Sequence, residues 1–348
     1  MDFQLRQRGR ASLDFITDLA RASGKLRPAI DVELASQGIT EKTLADDLDE
    51  RLRQVDAALA DSRTACAFAL LSEWNSTQHG RIAHDAFEQI RAELLPKLES
   101  LQRNGPSTLE APTNLKWPDY AGKGWIHRTT AGWDGHPYQG FIHGELIHRE
   151  YVARVFPGDI FAQRREVLDL LPRRDYARIL EIGSSSGHYT AQISAAFPQA
   201  ELWGCDTSRV MLEQAQRLAN ETGKAWHLLH AAGEATGQAD RSFDLVTSFI
   251  VLHEVPESAI RAQFREAFRL LRPGGDLLFC DVTRYSASSK AAVRWAEYSA
   301  VNGGEPFWRE SASVDLAAAA QDAGFVNTRS VGIGNAQYPW IIYGHKSG

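Results

Sequence analysis

The stretch Ile179-Leu-Glu-Ile-Gly-Ser-Ser-Ser-Gly-His-Tyr189 (ILEIGSSSGHY) decides the fold, and it can be interpreted in two ways. Its centre, Gly183-Ser-Ser-Ser-Gly187, matches Gly-x-Ser-x-Gly, the turn that exposes the nucleophile of serine hydrolases. It also matches a glycine-rich turn between a strand and a helix, where the backbone approaches a nucleotide-like ligand. In the first interpretation Ser185 attacks a carbonyl group. In the second it lines a cofactor.

The composition is that of an ordinary globular protein and excludes several kinds of partner. The chain has 348 residues, of which 43% are hydrophobic and 24% charged, and its formal net charge is -6. This balance offers no basic surface, so we expect no nucleic-acid partner. The first residues, MDFQLRQRGR, lack the apolar core of a signal peptide. No apolar run reaches the roughly 18 residues of a membrane-spanning helix, so the sequence predicts a cytoplasmic protein without a membrane partner.

Residues 1–111 are predicted to form an all-helical accessory domain. Apolar residues recur there at helical spacing, as in the series Leu44, Leu48, Leu52, Val55 and Leu59. The region carries no chemical motif. It could cover an active site as a lid, form the interface of a homodimer, or do both, and the sequence leaves these alternatives open.

Residues 112–165 are predicted to be an aromatic-rich connecting or lid segment. Aromatic side chains are interleaved there with glycine and proline, which suits the wall of a pocket for an organic substrate. The alternative is that they pack the domain junction. The candidate substrate-binding residues of this segment are Trp125, Trp133, Tyr138, His148 and Tyr151.

A metal site is the other function considered for this segment. Its histidines, His127, His136, His143 and His148, show no metal-ligand spacing such as His-Glu-x-x-His. The three cysteines, Cys66, Cys205 and Cys280, are also far apart, and we expect free thiols in a reducing compartment. The sequence therefore predicts no metal.

From residue 166 to residue 348 strands and helices alternate, which predicts a parallel sheet with right-handed crossovers. The predicted strands lie in ARILEIG, AELWGCD, AWHLLHAA, SFDLVTSFIVLH and DLLFCDV. A hydrolase elbow follows several earlier strands, yet no strand is predicted before residue 175. The order Ser185, Asp281, His345 keeps a serine hydrolase as the least favoured alternative.

Asp206 also favours a cofactor-binding turn. It ends the second predicted strand, where a carboxylate can accept both hydroxyl hydrogens of a ribose. The dinucleotide pattern Gly-x-Gly-x-x-Gly is broken, because Ser185 and His188 stand where that pattern requires glycine. The turn is instead of the type Glu-x-Gly-x-x-x-Gly, beginning at Glu181.

Together these motifs resemble a class I S-adenosylmethionine-dependent methyltransferase. The resemblance covers about residues 165–348 and includes the Glu181–Gly187 turn, Asp206, SFDLV and LLRPGG. It is closest to the small-molecule branch that includes ubiquinone and menaquinone C-methyltransferases. It implies an α/β fold with a Rossmann-like, doubly wound, seven-stranded sheet, whose last strand is antiparallel at the sheet edge. It also implies S-adenosylmethionine as the cofactor.

The resemblance further implies roles for the cofactor site. Gly183 and Gly187 would let the backbone approach the methionine half, and Glu181 would orient the turn or, through water, the ammonium group. Ala232 stands where the family commonly has an aspartate that meets the adenine amino group, so Gly233 or Glu234 would replace that contact. The predicted cofactor-binding residues are Glu181, Gly183, Ser185, Gly187, Asp206, Thr207, Ala232, Gly233, Glu234, Ser248 and Phe249.

The segment LHEVP supplies the predicted catalytic residues. It resembles the L-H-D segment of O-methyltransferases, in which the histidine is a general base, and this implies that His253 removes a proton from the acceptor. Glu254 would orient His253. The alternative is a histidine that only shapes the pocket.

After the fifth predicted strand an aromatic insertion contributes Tyr298 and Trp308 to the predicted acceptor pocket, unless these residues only pack the core. An aromatic, weakly charged pocket favours a small apolar or aromatic acceptor. The alternative function is a protein that binds S-adenosylmethionine without methylating, such as a cyclase, a decarboxylase or a regulatory binder.

Overall fold

An eight-stranded sheet organises the chain. A computed structural model describes residues 2–112, 115, 117–121, 126–128 and 133–348. The strand order across the sheet is β1-β4-β3-β2-β5-β6-β8-β7. The strands are β1 Thr108–Glu110, β2 Arg178–Ile182, β3 Glu201–Asp206, β4 Trp226–His230, β5 Phe243–Phe249, β6 Leu271–Asp281, β7 Val326–Gly332 and β8 Trp340–His345.

The sheet confirms the predicted doubly wound fold and corrects it in two details. β8 is antiparallel to both of its neighbours, as predicted for the last strand, and the remaining pairs are parallel. However, β8 lies between β6 and β7 and not at the edge. The sheet also has eight strands and not seven, because β1 pairs with β4. Three residues are too few to show a period of two, so sequence alone did not reveal β1.

Helices cover both faces of the sheet. They bury two apolar clusters, one on each side of the sheet. The first includes Leu180, Phe264 and Phe279. The second includes Ile179, Leu212 and Leu245. The helices of this region are α8 Ile160–Glu166, α9 His188–Ala196, α10 Arg209–Glu221, α11 Glu257–Leu270, α12 Lys290–Gly303, α13 Trp308–Ser313 and α14 Leu316–Asp322.

The part of the chain before the sheet is mainly helical. It contains α1 Gln7–Gly24, α2 Arg27–Ser36, α3 Leu48–Leu59, α4 Arg63–Glu88 and α5 Arg91–Arg103. A second helical run comprises α6 Gln139–Phe141, a π-helix Ile142–Val152 and α7 Ala153–Val155. Within the described part of the chain, no helix combines the length and the apolar character needed to cross a membrane.

The first helices share their core with the π-helix. Leu13, Phe87 and Leu98 are buried in one cluster with Phe141 and Leu146. The helices therefore need the segment that leads into the sheet in order to bury their apolar faces. The predicted domain boundaries at residues 111 and 165 stay a prediction, as does a homodimer through the helices.

Asn220 of α10 joins this helical part to the sheet. Its Nδ2 donates to the carbonyl oxygen of Leu101 at 2.7 Å, and its Oδ1 accepts from the backbone N–H of Ser107 at 3.0 Å. The Ser107 hydroxyl in turn accepts from the backbone N–H of Trp226 at 3.1 Å, next to the place where β1 begins to pair with β4. One side chain thus satisfies backbone groups on both sides of the turn between α5 and β1.

Replacing Asn220 by alanine is expected to lower the free energy of unfolding by roughly 1–3 kcal/mol, because two partly buried backbone groups lose their partner. Urea denaturation measures this change. Asn104→Ala is the matched control, since the Asn104 amide is exposed and donates to the Ser100 hydroxyl at 3.3 Å. A change below about 0.5 kcal/mol for Asn220→Ala, as is usual for surface substitutions, would show that this amide does not stabilise the junction.

Candidate active site

A cavity of about 480 Å³ opens at the carboxyl edge of the parallel strands. Its size is in the range of small-molecule sites. Ser76 and His79 of α4 close one side, while the residues that follow β2, β3 and β5 form the floor. The predicted residues in its wall are Trp133, His148, Glu181, Gly183, Ser185, Asp206, Thr207, Gly233, Phe249, His253 and Glu254.

Other predicted residues lie elsewhere. Ser248 is fully buried within β5. Tyr138 packs on Phe87, and the Tyr151 hydroxyl donates to Asn75 Oδ1 at 2.9 Å. Tyr298 lines a second cavity between α3, α4 and α12. Trp125 lies outside the described residues.

The glycine-rich turn is shaped by close contacts of its backbone. Gly183 has a φ of +74°, and a Cβ there would lie 2.3 Å from Cγ2 of Val251, so only glycine fits. Gly187 has a φ of +88°, and its Cβ position faces Trp226 and Ala215 at 3.0 and 3.1 Å. Gly183 therefore shapes the cavity wall, whereas Gly187 lets α10 and β4 pack against the turn.

The Asp206 carboxylate holds the turn and keeps acceptor capacity. Its Oδ2 accepts from the backbone N–H of Ser185 and its Oδ1 from that of Ser208, both at 2.8 Å. Burial raises the pKa of Asp206 to about 6, against the opposite effect of these two donors. Each carboxylate oxygen can accept a second hydrogen bond. Two acceptor positions therefore remain for a pair of hydroxyl groups such as those of a ribose.

Glu181 is a buried carboxyl group beneath the turn. Its Oε2 accepts from the Thr190 hydroxyl at 2.6 Å, and burial raises the pKa of Glu181 to about 8. A cation bound next to such a group favours its ionised form. Glu181 thus suits a ligand that carries a positive charge.

Arg164 supplies a positive charge at one end of the cavity, where three histidines surround it. The Arg164 guanidinium lies 5.1 Å from the centre of the Phe249 ring and 3.3 Å from Nε2 of His148. Among the described residues no carboxylate forms an ion pair with it. Burial lowers the pKa of His143 to about 3 and lowers the pKa of His148 and His188, so these rings are neutral. Arg164 was not predicted from the sequence, because no motif surrounds it.

The place expected for adenine has a polar residue that the sequence analysis also missed. Ala232 is buried and outside the cavity wall, while Gly233 forms part of the wall. Gln263 of α11 lines the cavity beside Gly233, and its Oε1 has no partner among the described residues. Gln263 could have been recognised in the sequence as a polar residue on the apolar face of the predicted helix. Glu234 accepts from the Tyr120 hydroxyl at 2.7 Å and lies behind the wall.

His253 lies against a buried carboxylate. It is 2% exposed, and its Nδ1 is 3.3 Å from Oδ1 of Asp281, the last residue of β6. Burial alone would lower its pKa, but Asp281 outweighs burial and raises the pKa of His253 to about 9. The Trp308 ring packs against the imidazole, with 5.2 Å between the ring centres.

His127 joins His253 and Glu254 from a distant part of the chain. Its Nε2 is 2.8 Å from Glu254 Oε1, and its Nδ1 is 2.8 Å from Glu305 Oε1. Burial would lower the pKa of His127, but Glu305 and Glu254 raise it well above its ordinary value. Trp133 packs on His127, with 5.5 Å between the ring centres. An acidic and imidazole-rich end thus forms in the same cavity as the arginine end.

The residues of the hydrolase alternative do not come together. His345 pairs with Asp276 in the middle of β6, at 2.8 Å, whereas Asp281, the last residue of β6, pairs with His253. Five residues of strand separate these two pairs by roughly 16 Å. Asp281 therefore cannot connect His345 to Ser185 as a catalytic triad requires.

Comparison with known proteins agrees with the turn and the sheet. A methyltransferase-domain family model matches residues 179–275. A malonyl-[acyl-carrier protein] O-methyltransferase of Legionella pneumophila is 31% identical over 133 residues, which cover 38% of this chain and 42% of the relative. A ubiquinone/menaquinone biosynthesis C-methyltransferase of Desulfotalea psychrophila is 29% identical over 106 residues, covering 30% of this chain and 42% of the relative.

A solved structure, phosphoethanolamine N-methyltransferase 2 of Haemonchus contortus, is 16% identical with a TM-score of 0.43, over 56% of this chain and 54% of that one. The chain matches less than half of the length of the two curated relatives. The matched residues 179–275 contain the glycine-rich turn, Asp206 and the segment of His253. The chain therefore carries a methyltransferase domain, and the predicted resemblance to class I S-adenosylmethionine-dependent methyltransferases is confirmed.

Proposed function

We propose that this protein is an S-adenosylmethionine-dependent methyltransferase that acts on a small, largely apolar or aromatic acceptor. The observation that carries the proposal is a single cavity that joins the Gly183 turn and Asp206 to His253. A donor held by the turn and an acceptor held near His253 would share this space, so that proximity and orientation favour the reaction.

The cavity wall has a partner for each polar part of the cofactor. Asp206 would accept from the ribose hydroxyls, Glu181 would face the ammonium group, and Arg164 would hold the methionine carboxylate. When bound, S-adenosylmethionine supplies a methyl group on a sulfonium, which is transferred by in-line displacement. The protein's task is then to orient both reactants and to exclude water.

Apolar and aromatic side chains line much of the cavity wall beside its charged groups. Trp117, Ile126, Trp133 and Val152 contribute to the wall, together with Ser76 and His79 of α4. This supports the prediction of an apolar or aromatic acceptor and of N-terminal helices that cover it. Enclosure by these helices would keep water away from the sulfonium.

Methyl transfer can be tested directly. Incubation with methyl-labelled S-adenosylmethionine and a panel of small phenols, enols and carboxylic acids should give a labelled product, detected by mass spectrometry. Binding of S-adenosylhomocysteine together with conversion of S-adenosylmethionine to a product that keeps its methyl group would favour the non-methylating alternative.

Replacing Asp206 by alanine should weaken the binding of S-adenosylhomocysteine. The ribose hydroxyls lose their acceptor, at a cost of roughly 1–3 kcal/mol, or about 5- to 150-fold in affinity. Calorimetry measures the affinity. Asp244→Ala is the control, because Asp244 Oδ2 likewise accepts two backbone N–H groups, those of Ala177 and Arg178, but at the opposite edge of the sheet. Equal affinities for wild type and Asp206→Ala would remove Asp206 from the cofactor site.

We further propose that the Gln263 amide takes the place of the aspartate that the family commonly has at the position of Ala232. Gln263→Met keeps the volume and removes the polar group, and should weaken S-adenosylhomocysteine binding by about 5- to 10-fold, the value of one hydrogen bond. Gln214→Met is the matched control, since Gln214 is equally buried but lies on α10 outside the cavity wall. A loss of the same size in both variants would point to general destabilisation.

The role of His253 as a general base stays a prediction. With a pKa of about 9 the ring carries its proton at neutral pH, and a base must first lose that proton. We therefore propose the less specific role that His253 is needed to activate the acceptor.

His253→Ala should lower turnover by about 100- to 10,000-fold, the range found for groups that assist proton removal. The affinity for S-adenosylhomocysteine should change by only a few fold, because His253 serves the acceptor. His345→Ala is the control, since its ring also lies against a buried carboxylate, that of Asp276, but at the opposite edge of the sheet. Turnover close to that of wild type in His253→Ala would leave orientation as the main source of catalysis.

A further inference from the structure

We propose that His127, His253 and Glu254 bind a divalent transition-metal ion at the acceptor end of the cavity. The effect of this ion on methyl transfer rests on the proposed function. The assignment of its three ligands does not depend on that function. No metal was predicted from the sequence, because these ligands show no recognisable spacing along the chain. The folded chain brings them together.

The distances suit a shared ion. One ligand atom from each of the three side chains lies within 4.8 Å of the others. Glu254 Oε1 is 2.8 Å from Nε2 of His127 and 4.0 Å from Nε2 of His253. An ion about 2.1 Å from each atom would place neighbouring ligands roughly 3–3.5 Å apart. The two measured separations lie on either side of this range, so small side-chain movements would complete the site.

Both imidazoles are also oriented in the way that metal ligands are. A histidine that binds a metal through one ring nitrogen almost always donates the other N–H to a carboxylate, a carbonyl group or water. Here His127 Nδ1 is 2.8 Å from Glu305 and His253 Nδ1 is 3.3 Å from Asp281. These carboxylates are 8% and 0% exposed. In both rings Nδ1 is held by a buried carboxylate, which leaves Nε2 for the shared centre.

The local charge is compatible with a divalent cation. Glu254, Glu305 and Asp281 bring three negative charges into a buried region, and Arg284, 3.7 Å from Asp281, returns one positive charge. Two protonated imidazoles make the sum zero, and so would two neutral imidazoles with a divalent ion, which would take the place of the two protons. Burying charges without such compensation is costly.

The donor set indicates the type of ion and its use. Two imidazoles and one carboxylate suit Zn²⁺, Fe²⁺, Mn²⁺ or Co²⁺ and leave coordination positions open, as in catalytic sites. Such an ion lowers the pKa of an oxygen that it binds. The site would therefore select an acceptor with an acidic hydroxyl or an enolisable carbonyl group, and His253 would act as a ligand and not as the base.

Cobalt binding tests the site without any knowledge of the acceptor. The full-length chain, without an affinity tag and treated with a chelator, is titrated with Co²⁺ while the visible d–d absorption of protein-bound cobalt is recorded. We expect about one Co²⁺ per chain. His127→Ala, His253→Ala and Glu254→Gln should each weaken binding by at least tenfold, whereas His345→Ala should bind as wild type does.

Glu305→Gln tests the positioning of His127. Loss of this carboxylate should weaken Co²⁺ binding by about 10- to 100-fold, as for other carboxylates that hold a ligating histidine. Glu41→Gln is its control, because Glu41 accepts from exposed backbone N–H groups at the start of α12, outside the cavity wall. Equal Co²⁺ affinities for wild type and Glu305→Gln would contradict this positioning role.

S-adenosylhomocysteine calorimetry on the same samples separates the two proposals and shows that each variant is folded. Saturable cofactor binding without any Co²⁺ binding would overturn the metal site and leave the methyltransferase proposal intact. Co²⁺ binding that persists in all three ligand variants would also overturn it, because the ion would then lie elsewhere. A protein that binds Co²⁺ in the predicted manner but not S-adenosylhomocysteine would support the site and refute the proposed function.

Discussion

The carboxylate of Asp281 is the group on which the active end of the sheet depends. It accepts from the backbone N–H groups of Val251 and Leu252 at 2.9 and 2.7 Å, and it lies against the His253 ring. These contacts fix the loop that follows β5. The Val251 side chain in turn lies so close to Gly183 that no Cβ fits between them. One buried carboxylate thus positions both His253 and the floor of the glycine-rich turn.

The two ends of the cavity carry opposite charges, and burial strengthens the electrostatic difference between them. Arg164 and neutral histidines line one end, while Glu254 and Glu305 lie around His127 at the other. Low solvent access reduces screening, so each end selects groups of the opposite charge more effectively than an exposed surface would. Under the proposed function, Arg164 would face the carboxylate of the bound methionine group, whereas the end with Glu254 and Glu305 would favour a cation.

The elements that the sequence predicted are those whose information is local. The turn from Glu181 to Gly187 and the strand ending at Asp206 depend on residues close together in the chain, and the structure has both. β1 was missed because three residues carry no periodicity and the strand exists only through its pairing with β4. His127 was missed as a partner of Glu254 because 127 positions separate them. Gln263 lies between these two cases. The sequence shows a polar residue on the apolar face of α11, but this pattern alone does not indicate a binding role.

The same difference between local and long-range information distinguishes the residues proposed to bind the cofactor from those proposed to surround the acceptor. The family match covers residues 179–275, which hold Glu181, Asp206 and Gln263. The other end of the cavity needs residues outside that range, namely His127, Glu305 and those of α4. The backbone N–H of His127 donates to the carbonyl oxygen of Gly304 at 3.2 Å. The Ser76 hydroxyl of α4 donates to the carbonyl oxygen of Asn302 at 2.8 Å. Residues 302–305 thus connect α4, His127 and the end of α12 around the acceptor. The residues that the family model matches do not include these contacts, so the match does not determine which acceptor is bound. Under the proposed function, the choice of acceptor would depend on these long-range contacts.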